Sequence, residues 1–285
     1  MLYYSWIGLL CALAVPVTCN SKSALIIVDV QECFLQGGSL AVAHGNQVVP
    51  VINEIRRKYE KQFSLVILSQ DWHCPDHVSF VSTHPGTSLY QVVNLTYNKE
   101  GQLCFGDNVP DTYQHGLHCN STAYVVPQTL WPDHCIQNVT GPTSAAFSKQ
   151  MTRKQDDVVI RKGFNCEVDS YSAFFDNGGF SQTELNETLS AAGISRVFVL
   201  GLALDYCVYY TAKDANRLGF NTYLIQDASR GVARSSITNA LVDMKSHGIH
   251  IIQSADMAHL FVSRAPTTKK YNLFIIPVMF LLLFT

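Results

Sequence analysis

The feature that most constrains this chain is a succession of short, wholly apolar runs separated by amphipathic stretches. Residues 24–30 form one such run, which ends on Asp29-Val30-Gln31 and reads as a central strand buried on both faces. Val48, Ile52, Ile55 and Tyr59 follow at helical spacing. A second buried strand at 65–68 ends at Ser69-Gln70-Asp71, and a third at 158–160 ends at Arg161-Lys162-Gly163. Leu185, Leu189 and Ala192 make a helical stripe stopped by Gly193. A fourth strand at 197–200 runs into Gly201-Leu202-Ala203-Leu204-Asp205-Tyr206-Cys207. A helix through Val208, Ala212 and Ala215, a strand at 223–225, a helix through Ile237, Leu241 and Met244, and a last strand at 249–252 complete the series. Alternation of this kind predicts an α/β fold with a doubly wound, mainly parallel sheet flanked by helices. Residues 87–128 break the pattern: they lack clear periodicity and read as a long loop of the sort that lids a site.

Both ends stand apart from this pattern. Residues 6–17 are almost wholly apolar, too short to span a bilayer, and followed by small residues at Val17-Thr18-Cys19. They read as a secretory signal peptide without the usual basic start, the alternative being a buried first element. Residues 271–285 form an uncharged apolar tail behind Lys269 and Lys270, with small residues at Ser263 and Ala265. That arrangement favours a GPI-attachment signal over a plain tail anchor, although Arg264 departs from the usual pattern. The predicted organisation is a signal peptide at 1–20, one large domain at 21–263 and an anchor propeptide at 264–285. Secretion to the outer face of the plasma membrane, held by a lipid anchor, is the expected localisation. The sequons at Asn94, Asn120, Asn138 and Asn186 are then candidate glycan positions.

A net charge of −2 without a basic block gives no sign of a nucleic-acid partner. Of nine cysteines, Cys11 and Cys19 leave with the signal peptide, and an odd remainder implies disulfides plus one free thiol. Cys104 and Cys119 bracket a loop-like stretch and are the first pair expected. Pairing among Cys33, Cys74, Cys135 and Cys166 is left open by the sequence.

In open parallel sheets ligands bind beyond the carboxyl ends of the strands. Those ends carry Asp29, Asp71 with His73, Lys162 and Cys207. A carboxylate, an ammonium and a thiol on one rim can serve as base, charge partner and nucleophile. Taken singly the residues say less: an aspartate ending a strand is more often a cap, and a lysine before a glycine is more often solvated.

Six fragments in order now carry a resemblance. They are Val28-Asp29-Val30-Gln31 with Phe34 and Gly37-Gly38; Gln70-Asp71-Trp72-His73 with His77-Val78-Ser79-Phe80; Trp131-Pro132-Asp133-His134-Cys135; Arg161-Lys162-Gly163; Asp169-Ser170-Tyr171-Ser172-Ala173-Phe174; and Gly201-Leu202-Ala203 with Asp205-Tyr206-Cys207-Val208. With these the chain resembles the nicotinamidases of the isochorismatase-like cysteine hydrolases over most of the domain.

The resemblance implies a three-layer sandwich and the hydrolysis of nicotinamide to nicotinate and ammonia. It implies Cys207 as nucleophile, at a helix N-terminus that favours the thiolate. Asp29 is then the general base, and Lys162 the partner that keeps Asp29 charged. Asp71, His73 and His134 are implied as ligands of a divalent metal, zinc before iron or manganese, with His77 offered as a fourth. Phe34 and Trp131 are implied to sandwich the substrate ring. A cis Leu202–Ala203 peptide is implied, with the N–H groups of Ala203 and Cys207 as oxyanion hole. The family commonly has threonine where this chain has Leu204, which puts one local hydrogen bond in doubt. The implied route runs through a thioester resolved by water. Rival readings are an amidase for another small amide and a catalytically inactive surface binding protein. Removing external nicotinamide, or feeding its salvage, is the expected role.

Overall fold

The computed structural model describes residues 21–104, 119 and 123–261. The predicted signal peptide and anchor segment lie outside the described residues, as do positions 262 and 263 of the expected domain.

In chain order the elements are β1 (Lys22–Val28), α1 (Val48–Tyr59), β2 (Leu65–Asp71), β3 (Val92–Tyr97), β4 (Tyr124–Thr129), β5 (Val158–Lys162), α2 (Leu185–Ala191), β6 (Ile194–Leu202), α3 (Tyr209–Arg217), β7 (Asn221–Arg230), α4 (Arg234–Ser246), β8 (His250–Ile252) and α5 (Met257–Phe261). Six strands form one sheet in the order β5-β2-β1-β6-β7-β8. Every pairing in it is parallel. The doubly wound sheet predicted from the apolar runs is therefore present.

Alternation along β1 shows why those runs are continuous. Leu25 and Ile27 enter a core shared with Ile52 and Ile55 of α1 and Met257 of α5. Ala24, Ile26 and Val28 enter a second core with Leu185 and Leu189 of α2, Ala212 and Ala215 of α3, and Met244 of α4. A strand covered on both faces has no solvent side to make polar.

The 87–128 segment is not simply a loop. It contains an antiparallel hairpin of β3 and β4, in register from Val92↔Thr129 to Tyr97↔Tyr124. Val93, Leu95 and Tyr97 point inward onto a third, small core with Leu103, Leu130 and Val168. The period-two pattern was there to read in Val92–Tyr97, although Asn94 and Pro127 obscured it.

Order reverses between β1 and β6, which makes the carboxyl ends of those strands the switch point where such sheets bind ligands. The register sets the residues there. Asp71 pairs with Lys162, and Val28 pairs with both Ser69 and Gly201.

Candidate active site

Asp29 is the first residue past β1, and its φ of 49° turns the chain through the left-handed region, which aspartate tolerates. Its N–H donates to Ser69 Oγ at 3.2 Å, and the Ser69 hydroxyl donates to Asp29 Oδ1 at 2.6 Å. Oδ2 is left facing Lys162 Nζ at 3.0 Å. That approach is an ion pair, since no hydrogen bond of good geometry reaches Oδ2 among the described residues.

Lys162 is fully buried at the end of β5. Its ammonium donates to Asp71 Oδ1 and, at 2.9 Å, to Ser170 O, and stands 3.4 Å from Cys207 Sγ. Sequence reasoning paired Lys162 with Asp29 alone; the structure makes it a bridge between Asp29 and Asp71.

Cys207 lies in the turn Leu204–Val208 that feeds α3, and it is the free cysteine among the described residues. The Leu202–Ala203 peptide just before that turn is cis, as the resemblance implied.

Burial sets the protonation states. It raises Asp29 to about 6, against the pull of Lys162. It pushes Asp71 upward too, but Lys162 and His73 win and hold that carboxyl well below its usual range. Burial works against charge on Lys162, yet Asp29 and Asp71 keep its ammonium firmly protonated. The Cys207 thiol is pushed well above its usual value by burial, which Lys162 only partly offsets. Loss of water thus works against the thiolate that a helix N-terminus favours.

Asp71, His73 and His134 come together as expected, with ligand atoms within 4.8 Å of one another. His73 Nδ1 lies 2.8 Å from Gly163 O and His134 Nδ1 lies 2.7 Å from Pro132 O. A carbonyl has no proton to give, so each Nδ1 donates, and in the neutral ring Nε2 keeps its lone pair. Those Nε2 atoms stand 3.5 Å and 3.9 Å from Asp71 Oδ2. Burial and the neighbouring His73 hold His134 down at about 3, so its ring is neutral. Two fixed imidazole nitrogens and one carboxylate fit a divalent cation. Gly163 allows the approach: at its φ of 63° a Cβ would sit 2.4 Å from His73 Cε1.

His77 does not join that trio. It packs on His73 with centroids 4.1 Å apart, and its Nδ1 accepts from the Ser79 N–H at 3.3 Å. It groups instead with His73 and Asp169.

Both sets open on one small cavity of about 30 Å³. Phe34, Trp131 and Ala203 line it, as the sequence reading required, together with Cys207, Asp71 and His134. Two wall residues were not singled out from sequence: Tyr171, whose hydroxyl accepts from Trp131 Nε1 at 3.2 Å, and Tyr206, edge-on to Trp131 at 4.9 Å. Both sat inside quoted motif fragments, which was the available signal. A larger, more open groove beside β5, lined by Trp72, Phe147 and Arg161 among others, contains none of these reactive groups.

Residues 114–256 match the family model described as the isochorismatase domain. The nicotinamidase of Escherichia coli (strain K12) is 38% identical over 235 residues, which cover 82% of this chain and 95% of that relative. A solved nicotinamidase/pyrazinamidase from Acinetobacter baumanii superposes with a TM-score of 0.68 at 34% identity, over 84% of this chain and 99% of its own. A pyrazinamidase of Pyrococcus horikoshii, solved in complex with zinc, superposes at 0.59 with 31% identity, over 81% and 99% of the two chains. The chain belongs to the isochorismatase family, among its nicotinamidase-like members.

Proposed function

We propose that this chain hydrolyses nicotinamide to nicotinate and ammonia through a thioester on Cys207. The observation that carries the reading is a free, buried thiol 3.4 Å from Lys162, itself 3.0 Å from the Asp29 carboxylate, opening on a cavity with flat aromatic walls. The activity of the similar E. coli protein supplies the substrate.

Phe34 and Trp131 clamp the pyridine ring and aim its amide carbon at Sγ. Asp29 Oδ2 takes the thiol proton as sulfur attacks, and the Lys162 ammonium stabilises the thiolate as it forms. The N–H groups of Ala203 and Cys207 receive the oxyanion. Asp29 returns the proton to nitrogen, the C–N bond breaks, and ammonia leaves a thioester. Water then attacks while Asp29 takes its proton; the C–S bond breaks, sulfur is reprotonated, and nicotinate departs. Asp71, His73 and His134 would hold a divalent cation, zinc by their donor set and by the zinc in the P. horikoshii relative, with iron or manganese as alternatives. Bound there, it supplies a Lewis acid that orients the substrate.

Purified protein given nicotinamide should release nicotinate and ammonia one for one. A folded, zinc-supplied protein with no product would overturn the substrate. Turnover of other small ring amides alone would favour the rival amidase reading.

We further propose that the chain works outside the cell on a GPI anchor. The apolar ends motivate this, and the disulfides Cys33–Cys135, Cys74–Cys166 and Cys104–Cys119 support it, since such bonds persist in oxidising compartments. Asn94 and Asn138 are exposed and Asn186 partly so, as glycan acceptors need; Asn120 lies outside the described residues. Phosphatidylinositol-specific phospholipase C should release the protein from intact cells. Retention after treatment would remove the anchor from the account.

A further inference from the structure

We propose that two of the disulfides, Cys33–Cys135 and Cys74–Cys166, are positioning residues of the metal centre, so that cation affinity depends on their oxidation. This rests on the metal reading of Asp71, His73 and His134 and goes beyond it.

The three ligands are not equally held. Asp71 is the last residue of a central strand, in register with Lys162 on one side. His73 and His134 lie past regular structure, on two segments joined to each other by the isolated bridge His73↔Ile136. Each of these two ligands outside the strands is followed at once by a bonded half-cystine: Cys74 after His73, Cys135 after His134.

The partners are equally specific. Cys135 is joined to Cys33, on the turn beyond β1 that also carries Phe34, and both cysteines are fully buried. The His73 N–H donates to Cys135 O at 3.0 Å, so the residue beside one ligand also receives the backbone of another. Cys135 itself sits at a φ of 47°, a conformation a non-glycine residue keeps only where its surroundings enforce it. Cys74 is joined to Cys166, on the segment that follows Gly163, and Gly163 O is the acceptor that fixes the His73 tautomer. The Val78 N–H closes the same junction by donating to Cys166 O at 2.8 Å.

One bond therefore ties His73 to the segment whose Gly163 O orients it, and the other ties His134 to the turn whose Phe34 ring lies 5.5 Å from its own, across sequence separations of 92 and 102 residues. Cys104–Cys119 neighbours no ligand and spans only 15.

The test is zinc affinity, measured by competition with a chromogenic chelator on the full chain from a secretory host. The variants are Cys33→Ser with Cys135→Ser, Cys74→Ser with Cys166→Ser, and Cys104→Ser with Cys119→Ser as control. Circular dichroism and melting of the metal-free forms report folding separately, and the visible spectrum of bound cobalt reports ligand geometry. Where a serine pair does not fold, the alanine pair, which buries no hydroxyl, replaces it. The first two variants should bind zinc about 10- to 100-fold more weakly while folded, with an altered cobalt spectrum, as lost support around ligands does. The control should match the wild type. Unchanged affinity in the folded first two, or an equal loss in the control, overturns the proposal. A wild-type chain that binds no zinc removes the metal reading, and this inference with it.

Discussion

At Lys162 an ammonium with three N–H donors faces four acceptors: Asp71 Oδ1, Ser170 O, Asp29 Oδ2 and Cys207 Sγ. Sulfur is the most distant of them, which suits a group that needs the charge only once it ionises. Asp29, held at one oxygen by Ser69 and raised to about 6 by burial, is then poised both to take and to return a proton near neutral pH. The sign follows directly: the base works deprotonated, so kcat/KM should rise with pH and level off above a midpoint near 6. A pH–rate profile checks this, and a flat profile from pH 5 to 7 would contradict it. Asp29→Asn should lower kcat by about 10²- to 10⁴-fold, the usual range for a general base, in steady-state assays at pH 7.5. At this scale the apolar strand ends drew attention to Asp29, Asp71 with His73, Lys162 and Cys207, and the family resemblance implied their roles and added His134. The sequence did not show that burial opposes ionisation of the thiol or that Lys162 bridges two carboxylates, since desolvation depends on what packs around a residue.

Among the elements, close approach between strands is what lines these groups up. Gly201 on β6 lies against β1 at a φ of 123°, and a Cβ there would fall 2.1 Å from Val28 O. Gly201→Ala should destabilise by at least about 3 kcal/mol in urea unfolding, combining backbone strain with overpacking. A second clasp joins α1 to the segment before β5. Arg56, 1% exposed, meets both oxygens of Asp157 at 2.6 Å and also pairs with Glu60. Arg56→Leu strands the buried Asp157 carboxylate and should cost about 3–5 kcal/mol by thermal or urea denaturation. A loss below about 1 kcal/mol would show the pair to be a surface ornament. Elements with strong periodicity were legible in the sequence, helix stops at Gly193, Gly219 and Gly248 included. The β3–β4 hairpin was missed because its inward residues, Val93, Leu95 and Tyr97, serve a small satellite core rather than the main one.

For the whole molecule, the six-strand order with its reversal between β1 and β6 decides where chemistry can occur; the alternating apolar runs implied a parallel, doubly wound sheet but not this order. Cysteine arithmetic anticipated a lone free thiol and the Cys104–Cys119 bond. It left the other pairs open, because which loops meet over the site is a property of the folded chain. Those pairs flank the ligand residues, so the chemistry proposed for the site and the oxidising compartment proposed for the chain bear on each other. The most direct test of the account is the initial rate of nicotinate formation by Cys207→Ala beside the wild type, with ring binding followed separately by calorimetry. The account predicts no measurable turnover by a variant that is folded and still binds nicotinamide; turnover near the wild-type rate would contradict it.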